Sequence, residues 1–148
     1  MTTATGSSSK TTHPLAAPEP AAAVRPSAIP RPSVRVRSAG SPTISFPADS
    51  PYVLRFWTQA IGPGPTEEFL RLSTAGRRRR PVLRPKFLAT LISEGIVEVR
   101  DGVIYAPHPI PALPRHLAAR LPRPERLVED RWLTLARRRL QTAARRAS

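Results

Sequence analysis

The 148 residues contain no cysteine, so disulfide frameworks, cysteine zinc sites and thiol nucleophiles are all excluded. Acids are scarce, with 10 Asp and Glu against 24 Lys and Arg. The three histidines, His13, His108 and His116, have no ligand-type partner at helical or hairpin spacing. No apolar run approaches the roughly 18 residues of a membrane-spanning helix. A glycine-rich phosphate loop, a nucleophile elbow and a paired-carboxylate arrangement are also missing. These absences point to a protein that is not an enzyme, with no cofactor and no metal site.

Positive charge and proline are what the chain has in excess. The formal net charge is +14, and the only lysines are Lys10 and Lys86. Arginine in place of lysine fits a bias in genome base composition, but such a bias does not account for the net charge. A field of this sign favours polyanionic partners: DNA, RNA or an anionic membrane surface. There are 19 prolines, and Pro14, Pro18, Pro20, Pro26, Pro30, Pro32, Pro42 and Pro47 interrupt every stretch before Asp49. Each removes a backbone donor and restricts its predecessor, and few large apolar residues there offset the entropy of ordering. Residues 1–48 therefore read as a disordered basic arm, although Ser33-Val-Arg-Val-Arg-Ser38 alternates like a short strand. The first residues lack the apolar core of a secretory signal. Their Ser/Thr-rich, acid-poor composition is shared by transit peptides, so organellar import stands beside a cytoplasmic or nucleoid location.

The pattern changes at Ser50-Pro51, an N-cap followed by proline at the first helical position. Tyr52, Val53, Phe56, Trp57, Ala60 and Ile61 then form a helical stripe that Gly62-Pro63-Gly64 ends. A second helix is expected over residues 65–76, ending at Gly76, and a third over 84–94, ending at Gly95. Ile96-Val-Glu-Val-Arg100, Asp101-Gly102 and Val103-Ile-Tyr105 give a hairpin with a two-residue turn. Residues 107–123 read as a Pro-rich connector and 124–148 as an Arg-rich terminal helix with Val128, Trp132, Leu135, Ala136 and Leu140 along one side. The expected core is Val53, Phe56, Trp57, Ile61, Phe69, Leu72, Phe87, Leu88, Leu91, Ile96, Val99 and Ile104. The fold class is thus mainly α with a β-hairpin: a three-helix domain at 49–106, a terminal amphipathic helix and a disordered arm.

Three short helices followed at once by a tight hairpin resemble the winged helix-turn-helix family, over about 51–106. The segment from Leu83 through Gly95 to Tyr105 carries the resemblance, as a recognition helix running into a wing. The resemblance implies that the exposed face of the third helix enters the major groove while the wing reaches the backbone or minor groove. On this sequence the reading face is Arg84, Lys86, Ala89, Thr90 and Ser93, and the wing tip Arg100, Asp101 and Gly102. Two features depart from the pattern. The link between the second and third helices is long, and Asp101 would repel a phosphate.

The sharpest local feature is Arg77-Arg78-Arg79-Arg80, suited to bidentate phosphate contact and equally to a solvated charge run. Arg137-Arg138-Arg139 forms a second basic cluster on the terminal helix. That helix can pack on the domain or pair with a second copy as a homodimer; a membrane surface is the least favoured use. Tyr52, Phe56, Trp57, Phe69 and Phe87 fall on apolar stripes and read as core, and Tyr105 ends a strand where it is expected to pack, so no stacking platform for single strands is expected. The expected function is a DNA-binding transcriptional regulator or architectural factor, with Arg77, Arg78, Arg79, Arg80, Arg84, Lys86, Thr90, Ser93, Arg100, Arg137, Arg138 and Arg139 as its contacts. The alternatives are a protein-interaction module docking on a large assembly such as RNA polymerase or the ribosome, and an RNA-binding protein of the ribosomal type.

Overall fold

The computed structural model describes residues 33–40, 42 and 44–148, and the part of the expected arm at residues 1–32 lies outside them. The chain is a mixed α/β protein. In order it forms β1 (Ser33–Ala39), β2 (Ser45–Phe46), a π-helical segment (Val53–Trp57) running into α1 (Thr58–Ile61), α2 (Pro63–Arg78) and β3 (Val82–Leu83). Then follow α3 (Leu88–Ser93), β4 (Glu98–Arg100), β5 (Val103–Pro107), β6 (Ile110–Pro111), α4 (Arg115–Ala118) and α5 (Arg123–Ala147).

The central sheet has the order β3-β1-β5-β4. Strand β1 runs antiparallel to β3 and parallel to β5, with Val34 opposite Val82, Val36 opposite Ile104 and Arg37 opposite Tyr105. The alternation in β1 sorts Val34 and Val36 to the core and Arg35 and Arg37 to solvent, as one wet face requires. The expected hairpin is present as β4–β5. Its turn residues Asp101 and Gly102 have φ of 51° and 71°, the positive pair a type I′ turn needs.

Two expected boundaries are corrected. The described residues of 33–48 belong to the domain and not to the arm, because β1 is an interior strand of the sheet and β2 pairs with β6. Residues 107–123 are not a connector: Ile110, Leu113, Leu117 and Leu121 are all buried. Their spacing follows neither a strand nor a helix period, since short extended and helical pieces alternate between the prolines.

The helices also differ from expectation. Helix α2 does not stop at Gly76 but continues to Arg78. At Gly76 the helix lies directly on β1, where a Cβ would sit 2.9 Å from the Arg37 carbonyl carbon and oxygen. The glycine is there for close approach and does not end the helix. Helix α3 begins at Leu88, so Arg84 and Lys86 precede it. Glu68, a buried carboxylate on α2, accepts the backbone N–H of Lys86 at 2.8 Å and that of Phe87. It ties the approach to α3 back onto α2 and fixes the turn that leads into the helix. In the core, Phe87 and Val99 prove exposed and Val97 is buried instead, while Ile61 and Leu88 are only partly buried. Val99 stands opposite Ile104 on the core side of the sheet, but β4 is an edge strand and leaves it uncovered.

The first half of α5 packs on the domain through Tyr52. This ring is fully buried, stacked on Phe46 at 3.9 Å and tilted against Phe56 and Trp132. Its hydroxyl donates to Glu129 Oε1 at 2.6 Å and accepts the Leu113 N–H at 2.9 Å. At the rim, Arg55 forms a bidentate pair with Glu125 at 2.8 and 2.9 Å. Beyond Ala136 every residue of α5 is exposed. Leu135, just before Ala136, and Leu140 stand in solvent and not on the packed stripe expected for them.

Burial raises the Glu129 carboxyl above the usual carboxylate range, with Asp130 adding to the rise and Tyr52 and Arg137 opposing it. Burial and the bond to Glu129 likewise push the Tyr52 phenol well up. The folded chain thus binds the Glu129 proton more tightly than the unfolded chain. This contribution is fully present below the ordinary carboxylate pKa and is lost as pH rises through the raised value. Tyr52→Phe should lower unfolding free energy by about 2 kcal/mol in urea titrations, because the Leu113 amide and Glu129 both lose a buried partner. Glu129→Gln should lower it less, by about 1 kcal/mol or under at neutral pH, and should flatten the decline in stability over that pH window.

Candidate functional site

The C-terminal end of α2 spreads the four-arginine run over two sides of the helix. Arg77 and Arg78 lie in its last turn, and Arg79 is its cap, with φ of 53° and ψ of 38°. The Arg79 N–H donates to the Gly76 carbonyl at 3.2 Å and the Arg80 N–H to the Ala75 carbonyl at 2.9 Å. This is a Schellman closure in which an arginine holds the left-handed position usually taken by glycine. Arg84 is also left-handed, at φ 46°. Cations in the last turn suit the helix dipole, so part of this charge is explained by the helix alone.

One side of the helix end is a shallow concavity of about 560 Å³. Arg71, Arg78 and Arg80 surround its apolar floor of Leu70, Ala75, Val82 and Leu83. Arg71 also lines a smaller adjoining concavity of about 300 Å³ with Arg84, Lys86, Glu67, Glu68 and Phe87. The two form one basic strip along α2 and the β3 edge: Arg84 and Lys86, then Arg71, then Arg80 and Arg78. Arg71 bonds Glu68 at 3.0 Å. The other four have no ion pair among the described residues.

The other side of the helix end is a concavity of about 560 Å³ that holds Arg77, Arg78, His108 and Asp49. Ser73, fully buried, donates its single hydroxyl proton to the Pro107 carbonyl at 2.7 Å. Its oxygen is left to accept from His108 Nδ1, 3.1 Å away. Burial, and then the nearby Arg77, lower the His108 pKa and favour the neutral ring.

Of the expected contacts, the strip brings together Arg78, Arg80, Arg84 and Lys86. Thr90 and Ser93 are exposed on α3, where Ser93 Oγ donates to the Thr90 carbonyl at 2.9 Å. Arg100 lies on β4, paired with Glu98 and 5.3 Å from the Tyr105 ring centroid. Arg137, Arg138 and Arg139 stand apart on the projecting part of α5; Arg138 lines a separate shallow site with Leu127, Asp130, Arg131 and Leu135. Arg71 was missed by the sequence reading, though its signal was present: it is two helical turns before Arg78, on the same face. Among the described residues no group of three His, Asp or Glu is placed to hold a metal ion, and no helix is long and apolar enough to cross a membrane.

Arg79→Gly should raise the unfolding free energy by about 0.5–1 kcal/mol, since glycine takes the left-handed cap without steric strain. Thermal or urea unfolding of the two chains side by side reads this directly. Compared with protein-family models, with curated proteins and with solved structures, the chain matches none.

Proposed function

We propose that the chain is a non-enzymatic DNA-binding protein that grips the duplex backbone along the strip formed by Arg84, Lys86, Arg71, Arg80 and Arg78. The observation that carries this reading is the arrangement of those five cations. Three segments of the chain supply them: α2, the residues following it, and the approach to α3. Four are free of carboxylates, and guanidinium forks suit phosphate oxygens in bidentate fashion. Two arginines at or beside the strip occupy left-handed backbone positions, Arg79 and Arg84. Cationic side chains thus stand where the backbone alone would favour glycine, which fits a binding role.

The winged-helix resemblance of the sequence supports the rest of the reading, with α1, α2, β3 and α3 preceding the β4–β5 hairpin along the chain. Helix α3 has 6 residues and offers Ala89, Thr90 and Ser93 to solvent, few groups for telling bases apart. Backbone contacts therefore carry most of the affinity, and sequence preference is weak. The role that follows is an architectural factor, or a regulator that relies on context more than on direct readout.

Binding of the full chain to a mixed-sequence duplex, followed by fluorescence anisotropy across a salt series, tests this. The logarithm of affinity should fall with the logarithm of salt at a slope of about −4, as expected for four or five neutralised phosphates. Arg78→Gln with Arg80→Gln should flatten the slope by about 2. Negligible binding by the folded chain at low salt would overturn the proposal in favour of docking on a protein assembly. Preference for structured RNA over duplex DNA would replace DNA with RNA.

A further inference from the structure

The central sheet has a second face. Helix α2 covers the side bearing Val34, Val36, Ile104 and Ala106. The opposite side carries two cross-strand rows, Arg35–Val103–Arg100 and Arg37–Tyr105–Glu98. Arg35, Arg37, Arg100 and Glu98 are exposed there, and Tyr105 is half-buried. We propose that this face of the sheet binds a single strand of DNA, with a base stacked at Tyr105 and phosphates held by Arg35 and Arg37. The inference rests on the nucleic-acid reading above but uses a different surface, which shares no residue with the strip.

Charge, ring and geometry agree on this occupant. The only acid on the face, Glu98, is already paired with Arg100, so Arg35 and Arg37 carry unneutralised charge among the described residues. The Tyr105 hydroxyl has no hydrogen-bond partner among the described residues, unlike that of Tyr52, which has two. Arg100 Cζ lies over the Tyr105 ring, 5.3 Å from the centroid, and a stacking base takes the place of that exposed guanidinium. The cross-strand register places Arg37 directly beside Tyr105, about 4.8 Å away across the strands, while Arg35 lies about 6.7 Å further along β1. A backbone laid along β1 would keep both arginines on phosphate while a base turned toward β5 meets the ring. A base can stack on a sheet-face aromatic only when it is unpaired, and a duplex keeps its bases inside. No local pattern announces this platform, because Arg35 and Arg37 are separated from Tyr105 by nearly seventy positions and only the parallel β1–β5 pairing unites them.

The test uses the full chain, a fluorescein-labelled oligothymidylate and a mixed-sequence duplex hairpin. Tyr105→Leu keeps an apolar side chain on the sheet but removes the π face, and should weaken oligothymidylate binding about ten-fold while leaving duplex affinity unchanged. Arg35→Gln with Arg37→Gln, at exposed positions where folding is not at stake, should flatten the oligothymidylate salt slope by about 1.4. Full oligothymidylate affinity in both variants overturns the platform, as does a chain that binds duplex but no oligothymidylate. Binding of oligothymidylate that depends on Tyr105, with no duplex binding at all, sustains the platform and removes the strip instead.

Discussion

The Tyr52 hydroxyl joins three parts of the chain that are far apart in sequence. It donates to Glu129 on α5 and accepts from Leu113 in the proline-rich segment. Its ring is sandwiched by Phe46, Phe56 and Trp132. A phenol buried without partners would be strongly unfavourable. Here each of its polar capacities is met, and each partner is a buried group that would itself be unsatisfied without Tyr52. The terminal helix, the residues after the hairpin and the first helical segment are therefore mutually dependent. The Trp57 indole N–H, which bonds the Pro111 carbonyl at 3.1 Å, reinforces the same junction.

A second buried polar group does the corresponding work for the basic strip. Glu68 receives two backbone amides ahead of α3 and the Arg71 guanidinium. One carboxylate thereby turns the chain so that Arg84 and Lys86 face Arg71. The acid that lies among the strip's cations organises them instead of merely cancelling their charge. The left-handed Arg79 and Arg84 complete the turn from α2 to β3 and on toward α3. Charge, backbone conformation and position are linked in this stretch, and the four-arginine run is only its most visible part.

Several elements were legible from residues alone. The stripe from Tyr52 to Ile61, the Asp101-Gly102 turn and the terminal helix each carry a local signal: helical periodicity, a positive-φ turn pair, and dipole-matched charges. The limits of α2 were not legible, because Gly76 reads as a stop until β1 is known to press against it. Val97 and Val99 were exchanged because only the sheet order shows that β4 lies at an edge: Val99 stands opposite Ile104 on the core side yet stays exposed, while Val97, ahead of the strand, is buried. The buried Ile110, Leu113, Leu117 and Leu121 have no period to reveal them. Each belongs to a different short piece, held by contacts with remote elements.

By itself the sequence determined the charge, the exclusion of thiol chemistry, the hairpin and the existence of the main helices, since these depend on composition and on neighbours a few positions apart. Tertiary structure alone decided that Ser33–Ala39 is an interior strand, that Arg71 joins Arg78, Arg80, Arg84 and Lys86, and that Arg37 lies beside Tyr105. The physical reason is the same in all three. A strand pairing or a shared concavity is a relation between distant segments, and its energy comes from burial and hydrogen bonds that no local window of residues contains.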